Sequence, residues 1–221
     1  MAQNTKAIIF DMDGVLTDSE WFIAEAACLM FAETHGVRVK HEDFLPFVGH
    51  GEDTFLGGVA AKYGISGFSL ERDKARTYEL YVQNVKGKLK ELPGASSFVA
   101  ECRKAGLKTA LATSTDRIKM LANLQEIGLA DGAFDALVNG LDVERKKPFP
   151  DIFLEAAKRI GIEPEACWVV EDSTGGVQAA KAAGMRCLAL LTSFPKHELE
   201  RAGADAFAQN LAETDVKLFT V

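Results

Sequence analysis

Residues 6–20 read KAIIFDMDGVLTDSE, a short apolar run that is followed at once by acidic residues. A run of about five such residues predicts a buried β-strand at 6–10, because a helix needs about ten residues or more. Asp11 and Asp13 come directly after this strand. In an open α/β sheet, ligands bind beyond the carboxyl ends of the strands, so this stretch predicts both a fold and a site.

Strands of the same kind recur only from residue 107 onward, and they alternate with helices. The predicted strands lie at 107–112, 134–138, 167–170 and 185–191, and the helices at 96–105, 115–127, 151–160 and 174–183. Such alternation is typical of parallel strands joined by right-handed helical crossovers. We therefore predict an α/β fold with a doubly wound parallel-sheet (Rossmann-like) core, to which the first strand belongs.

The stretch between the first two strands is predicted to be helical. Apolar periodicity at 20–34, 53–63 and 70–85 indicates a small α-helical cap domain inserted after the first strand. The predicted domains are an α/β core at 1–17 and 89–221 and a cap at 18–88. The aromatic residues expected to form the core of the cap are Trp21, Phe22, Phe31, Phe44, Phe47 and Phe55.

The composition argues against several classes of protein. A net charge of −7 over 221 residues is unlike a nucleic-acid-binding surface. No window approaches the ~18 consecutive apolar residues of a membrane span, and the start of the chain does not resemble a secretory signal. The four cysteines are far apart and lack metal-ligand spacing. We expect a cytoplasmic protein, a monomer or weak homo-oligomer, without nucleic-acid or membrane partners.

Polar side chains gather where the predicted strands end. They are Asp11 and Asp13 after the first strand, Thr113, Ser114 and Thr115 after the second, Glu171 and Asp172 after the fourth, and Lys147 before the helix at 151–160. Each one alone would be interpreted as a turn, a helix cap or a surface charge. Their coincidence at one edge favours a functional site. Crowded carboxylates repel one another unless a cation intervenes, and Mg²⁺ prefers such oxygen ligands together with substrate phosphate.

Four motifs occur in order along the chain. They are DMDGVLTDSE at 11–20, LATST at 111–115, Lys147-Pro148 with PDIF at 150–153, and VVEDSTGGVQAA at 169–180. Through these motifs the sequence resembles the haloacid dehalogenase superfamily, on its branch of β-phosphoglucomutase-like phosphatases. The resemblance covers the whole chain, including a helical cap after the first motif. It extends to the phosphatase-like domain of some plant chloroplast proteins.

The resemblance implies Mg²⁺-dependent phosphoryl transfer through a phosphorylated Asp11. Asp13 would protonate the leaving alkoxide and later take a proton from water. Thr113 and Lys147 would hold the phosphoryl oxygens. The implied metal ligands are Asp11, the main-chain carbonyl of Asp13, Asp172 and Glu171, the last as a ligand or as a supporting carboxylate.

The resemblance also implies an activity, that of a phosphatase acting on a small phosphorylated metabolite such as a sugar phosphate. Asp13 favours phosphate esters over haloacids, because the dehalogenases of this superfamily lack that residue. Two alternatives stay open at this point. One is a β-phosphoglucomutase-type phosphosugar mutase. The other is a non-enzymatic phospho-dependent switch or binding domain, which sustained turnover of a phosphate ester would exclude.

The cap is expected to bear on the choice of substrate through its loop at 47–52. The predicted substrate-binding residues are Ser114, Thr115, His50 and Glu52. The mutases that this chain resembles carry a histidine and an arginine in the cap where this sequence has Ile23 and Glu52. Both replacements favour hydrolysis over transfer. Glu52 would also repel a second phosphate group, unless His50 or Arg76 compensates.

Overall fold

A six-stranded parallel β-sheet is the central element of the structure, a computed structural model that describes residues 5–47, 51–129 and 132–220. The strands are β1 (Ala7–Phe10), β2 (Lys108–Ala112), β3 (Ala136–Val138), β4 (Cys167–Glu171), β5 (Arg186–Leu190) and β6 (Ala206–Ala208). They are hydrogen bonded in the order β3-β2-β1-β4-β5-β6, and every pair is parallel. The predicted doubly wound parallel sheet is therefore confirmed.

The sixth strand was not predicted from the sequence. β6 has three half-buried residues and pairs with β5 at one edge of the sheet. A run this short carries too little apolar patterning to distinguish a strand from a loop.

Helices cover both faces of the sheet. Three further α-helices of the described chain are inserted between β1 and β2. The inserted helices are α1 (Glu20–His35), α2 (Glu52–Lys62) and α3 (Leu70–Val85). The helices that follow are α4 (Ala95–Lys104), α5 (Arg117–Glu126), α6 (Asp151–Ile160), α7 (Thr174–Ala182), α8 (Lys196–Ala202) and α9 (Lys217–Thr220). In the described ranges, none of the helices combines the length and the apolarity that crossing a bilayer requires. The domain boundaries given above stay a prediction.

The central strand β1 is buried on both of its faces. Ile8 and Phe10 lie in one apolar cluster with residues of α4, α5 and α9. Ala7 and Ile9 lie in a second cluster with residues of α6, α7 and α8. Because successive side chains of a strand point to opposite faces, a continuous apolar run is what a strand covered by helices on both sides requires.

The inserted helices share an apolar cluster of their own. Phe31 and Phe44 lie in it, together with residues from α1, α2 and α3. The prediction that Trp21 belongs to this cluster is wrong, because its side chain is 58% exposed. Its ring contacts those of Phe22 and His41 instead of entering the cluster. The helical periodicity of α1 therefore predicted the helix correctly but assigned one aromatic residue to the wrong face.

The strand order changes direction between β1 and β4. The chain runs from β1 to β2 and β3 on one side, and then returns to place β4 on the other side of β1. Such a switch point leaves a crevice at the carboxyl ends of the strands, where ligands bind in this class of fold. Phe10 is level with Leu111 of β2 and with Val170 of β4, so the residues that follow all three strands meet at this crevice.

Candidate active site

The turn after β1 brings Asp11 and Asp13 to the crevice. The N–H of Asp11 donates to the carbonyl of Val170 at 3.0 Å, which extends the pairing of β1 with β4. The chain then turns, and the N–H of Gly14 donates to the carbonyl of Thr17 at 2.7 Å. Gly14 has a φ of 78°, which a residue without a Cβ adopts at little cost. Both aspartates line a cavity between the sheet edge and the inserted helices.

Lys147 pairs with Asp11 in this cavity. Its Nζ donates to Oδ1 of Asp11 at 2.6 Å and also to Oε1 of Glu171, the last residue of β4. The other oxygen of Glu171 accepts the main-chain N–H groups of Asp172 and Ser173, at 2.9 and 3.0 Å. Glu171 is therefore held on both oxygens, and it fixes the position of the Lys147 ammonium group.

Carboxylates outnumber ammonium groups at this end of the cavity. One oxygen from each of Asp11, Glu171 and Asp172 lies within 4.8 Å of the others. Burial raises the pKa of Asp11 to about 7, although the charge of Lys147 opposes the rise. Burial also raises the pKa of Asp172, and the charge of Glu171 adds to this effect. Both directions are expected where three buried carboxylates share one ammonium group.

This set of donors fits a divalent metal ion. Hard carboxylate oxygens are the ligands that Mg²⁺ prefers, and a further cation would offset the excess negative charge. Both oxygens of Glu171 already accept hydrogen bonds, which makes it a support for Lys147 in this arrangement. Asp172 accepts the hydroxyl of Ser193 on Oδ2. Among the described residues, Oδ2 of Asp11 and Oδ1 of Asp172 have no hydrogen-bond donor, so both of these carboxylate oxygens are open to a metal ion.

Hydroxyl groups that follow β2 form a second wall. Thr113, Ser114 and Thr115 are all buried and line the cavity. Oγ1 of Thr113 accepts the N–H of Thr115 at 3.3 Å. The Ser114 hydroxyl is buried and has no hydrogen-bond partner in the part of the chain that the structure describes. Since buried polar groups normally have a partner, this hydroxyl is available to bind a ligand.

The inserted helices supply the opposite wall. Glu52 is the first residue of α2, and its Oε1 accepts the hydroxyl of Thr115 at 2.5 Å. Ile23 of α1 and the rings of Phe47 and Phe55 also line the cavity. The structure thus brings Glu52 and Ile23, the two positions singled out in the sequence, into the same cavity as Asp11 and Asp13.

Two other residues of the insert were named from the sequence, His50 and Arg76. His50 lies outside the described residues. The suggestion that Arg76 compensates for Glu52 is wrong, because Arg76 pairs with Glu33 and Glu79 at 2.8 and 2.9 Å and is not among the residues that line the cavity.

Sequence reasoning missed several residues that line the cavity, among them Lys119, Ser193 and Glu20. Lys119 of α5 donates to Oδ2 of Asp13 at 2.7 Å, and Ser193 donates to Asp172. Glu20 also lines the cavity, where burial raises its pKa to about 7 and the charge of Asp13 adds to the rise. A signal for Lys119 was present, because it is spaced four residues from Asn123 on the buried face of α5. A lysine and an asparagine on a buried face indicate polar partners.

The cavity has a volume of about 280 Å³, which suits a small molecule rather than a macromolecule. Asp11 offers a carboxylate nucleophile beside the ammonium group of Lys147. Asp13 offers a second carboxylate for proton transfer. This arrangement can support covalent transfer of an anionic group, because the ammonium group and a metal ion would offset the charge that repels the nucleophile.

Comparison with known proteins gives a family match over most of the chain. A family model described as haloacid dehalogenase-like hydrolase matches residues 5–184. The chain is 43% identical over 212 residues to the chloroplastic protein SUPPRESSOR OF QUENCHING 1 of Arabidopsis thaliana. That match covers 95% of this chain and 20% of the Arabidopsis protein, so the chain spans about a fifth of that relative.

Other relatives are matched over most of their own length. The phosphorylated carbohydrates phosphatase of Thermotoga maritima is 36% identical over 180 residues, covering 81% of this chain and 82% of that protein. The crystal structure of CbbY from Rhodobacter sphaeroides, in complex with phosphate, is 29% identical and has a TM-score of 0.82. It covers 95% of this chain and 96% of that chain.

The close approach of Gly14 to Asp172 can be tested by substitution with alanine. A Cβ on Gly14 would lie 1.7 Å from Oδ2 of Asp172, whereas a Cβ on Gly184 would meet nothing within 4 Å. The two glycines have similar φ angles, 78° and 74°. We expect Gly184→Ala to lower the free energy of unfolding by about 1 kcal/mol, through backbone strain alone. Gly14→Ala should cost at least about 1 kcal/mol more, because Asp172 must move.

Urea denaturation of the two variants and the wild type measures this difference. Equal losses of stability in the two variants would show that the contact between Gly14 and Asp172 is unimportant.

Proposed function

The chain belongs to the haloacid dehalogenase-like hydrolases, on the branch of β-phosphoglucomutase-like phosphatases, and we propose that it hydrolyses the phosphate ester of a small carbohydrate through a phosphorylated Asp11. The observation that carries the proposal is the pairing of Asp11 with Lys147 inside a cavity that also holds Asp13. The phosphorylated carbohydrates phosphatase among the relatives supports the class of substrate.

In the first step, a carboxylate oxygen of Asp11 attacks the phosphorus atom of the ester. The bond from phosphorus to the oxygen of the sugar breaks as the new bond forms. Asp13 gives its proton to the departing oxygen, so that the sugar leaves as a neutral alcohol. The ammonium group of Lys147 offsets the repulsion between the Asp11 carboxylate and the phosphoryl oxygens.

In the second step, water removes the phosphoryl group from Asp11. Asp13, now a carboxylate, takes a proton from the water whose oxygen attacks phosphorus. The bond from phosphorus to Asp11 breaks, and inorganic phosphate leaves. Asp11 is again a carboxylate and Asp13 again carries a proton, so one turnover consumes one ester and one water. A covalent intermediate divides a difficult displacement into two easier ones.

Residues that follow β2 and a lysine in the loop before α6 would hold the phosphoryl oxygens. Thr113 and Ser114 offer hydroxyl groups, and the buried Ser114 hydroxyl has no protein partner within the described ranges. Lys147 offers an ammonium group already fixed by Glu171. Such preorganised donors stabilise charge in the transition state without a cost of reorganisation.

The proposed cofactor is Mg²⁺, held by the carboxylates of Asp11 and Asp172 and by the main-chain carbonyl of Asp13. When bound, it would neutralise the charge shared by the phosphoryl group and the carboxylates. Glu171 contributes by holding Lys147 in place. The support for a metal is the excess of buried carboxylates over ammonium groups at this end of the cavity.

Hydrolysis is favoured over the mutase reaction by the wall that the inserted helices provide. A mutase must transfer the phosphoryl group to a second sugar hydroxyl and bind a bisphosphate. Here Ile23 and Glu52 line the cavity, so an apolar side chain and a carboxylate replace the histidine and arginine of the mutases. A buried carboxylate repels a second phosphate group, which is a means of excluding a bisphosphate.

Replacing the proposed nucleophile should abolish turnover. We expect Asp11→Asn to lower kcat/KM for a phosphorylated sugar by at least ~10³-fold, because an amide is a poor nucleophile. Phosphate release at saturating Mg²⁺ measures the effect. Asp18→Asn is the matched control, since this aspartate is exposed, and it should retain activity. Near-wild-type turnover by Asp11→Asn would contradict the covalent mechanism. Absence of turnover in the wild type would favour a phospho-dependent switch or binding domain.

Removal of the metal should also abolish activity. Excess chelator should stop phosphate release, and added Mg²⁺ should restore it, because the clustered carboxylates otherwise repel the substrate. Asp172→Asn should raise the Mg²⁺ concentration needed for half-maximal rate by at least ~10-fold. Asp18→Asn serves again as the control. Full activity in excess chelator would contradict the proposed requirement for Mg²⁺.

The choice between hydrolase and mutase can be measured in one assay. β-Glucose 1-phosphate is supplied with a catalytic amount of the 1,6-bisphosphate, and both glucose 6-phosphate and free phosphate are followed. We expect phosphate release to exceed isomerisation, because Glu52 opposes the second phosphate. Isomerisation that outruns phosphate release by ~100-fold or more would favour the mutase.

A further inference from the structure

Lys119 of α5 is a buried cation that the mechanism above does not use. Its side chain is 5% exposed, and its Nζ donates to Oδ2 of Asp13 at 2.7 Å. The same Nζ lies 3.8 Å from Oε1 of Glu52 on the inserted helices, and 5.9 Å from the centre of the Tyr81 ring. Lys119 thus lies between the proton-transfer residue of the core and the carboxylate that the cap contributes.

The charges around Lys119 explain why an ammonium group is retained there. Asp13 and Glu52 are largely buried, and in the described part of the chain each has Lys119 as its cation within ion-pair distance. Glu20, which lines the same cavity, adds a third carboxyl group nearby. Removing a cation from such a set leaves buried carboxylates unpaired, which is strongly unfavourable.

The contacts of Asp13 show what Lys119 does to it. Oδ1 accepts the hydroxyl of Ser19, which lies just before α1, and Oδ2 accepts the ammonium group of Lys119. The carboxylate is therefore held from two sides, by the start of the cap and by a helix of the core. An ammonium group that donates to one oxygen fixes the carboxylate in place as a hydrogen-bond acceptor.

We propose that Lys119 is a positioning residue for Asp13 in the second step, the hydrolysis of phosphorylated Asp11; this inference rests on the proposed function. In that step Asp13 must accept a proton from water while the water oxygen bonds to phosphorus and the bond from phosphorus to Asp11 breaks. Lys119 holds the carboxylate where it can accept that proton. Lys119 therefore acts through Asp13, and its removal selectively slows dephosphorylation of the enzyme.

The test is Lys119→Met, measured with p-nitrophenyl phosphate. Nitrophenolate is a good leaving group and needs no proton from Asp13, so phosphorylation of Asp11 should stay fast while hydrolysis slows. We expect the steady-state rate to fall by at least ~10-fold. Rapid mixing should show a burst of nitrophenolate that approaches one equivalent per enzyme. Intact mass spectrometry after acid quench should show a larger phosphorylated fraction than in the wild type.

Lys74→Met is the matched control, because Lys74 also joins the cap to the core but does not contact Asp13. Its Nζ pairs with Asp116 of the core at 2.9 Å and with Asp53 of α2 at 2.7 Å. Loss of this cation should weaken the cap–core contact and raise KM without increasing the phosphorylated fraction. Lys119→Arg, which keeps a cation, should recover part of the steady-state rate.

The outcomes separate this inference from the proposed function. A wild-type enzyme that turns over, with a Lys119→Met variant whose phosphorylated fraction is unchanged, would overturn the inference alone. Equal phosphorylated fractions in Lys119→Met and Lys74→Met would also overturn it, since a role in cap docking would then suffice. A wild-type enzyme that releases no phosphate would overturn both. If Lys119→Met does not fold, Lys119→Gln, which keeps a donor without the charge, takes its place in every measurement.

Discussion

The rest of the structure depends on the contact of Lys147 with Asp11 and Glu171. It joins the end of β1, the loop before α6 and the end of β4 through three buried charges. Buried charges are tolerated when they are paired and hydrogen bonded, and removing one partner leaves the others uncompensated. Because Asp11 follows β1 and Glu171 is the last residue of β4, the contact requires β1 and β4 to be adjacent. The strand order and the chemistry of the site are therefore linked by one electrostatic constraint.

Several polar contacts join the cap to the core around the cavity. Glu52 accepts the hydroxyl of Thr115, and Lys74 pairs with Asp116. The apolar cluster of the inserted helices is separate from the two clusters that flank the sheet. Polar contacts can be exchanged for contacts with water or substrate at a small net cost in free energy. Opening an apolar core costs much more, because its surface is exposed to water. This division suits a cap that closes over a reaction sensitive to water.

The sequence predicted the sheet and the carboxylates at its edge because local patterns determine both. The continuous apolar run at 6–10 indicates a strand buried on two faces, and Asp11, Glu171 and Asp172 come directly after strands. The alternation of strands and helices makes the strands parallel, which brings these residues to the same edge of the sheet. Lys147 was predicted through the resemblance to a family, since its loop has no regular pattern.

Other features depend on tertiary contacts that no local pattern expresses. The contact of Lys119 with Asp13 joins residues separated by 106 positions, and that of Ser193 with Asp172 joins two loops. The exposure of Trp21 depends on how α1 is rotated against its neighbours, which helical periodicity alone does not specify. The family assignment, the sheet and the phosphatase class agree with the comparisons, while the individual roles of the cavity residues remain proposals.

The two lysines that line the cavity pair with different aspartates, and this difference bears on hydrolysis. Lys147 pairs with Asp11 and Glu171, so its position is fixed by residues at the ends of two strands of the sheet. Lys119 pairs with Asp13 and lies near Glu52, so its surroundings are complete only when the cap is in place. On the proposed mechanism, the nucleophile is thus organised by the core alone, whereas the residue that accepts a proton from water is organised by core and cap together. An enzyme built in this way would couple removal of the phosphoryl group to closure of the cap.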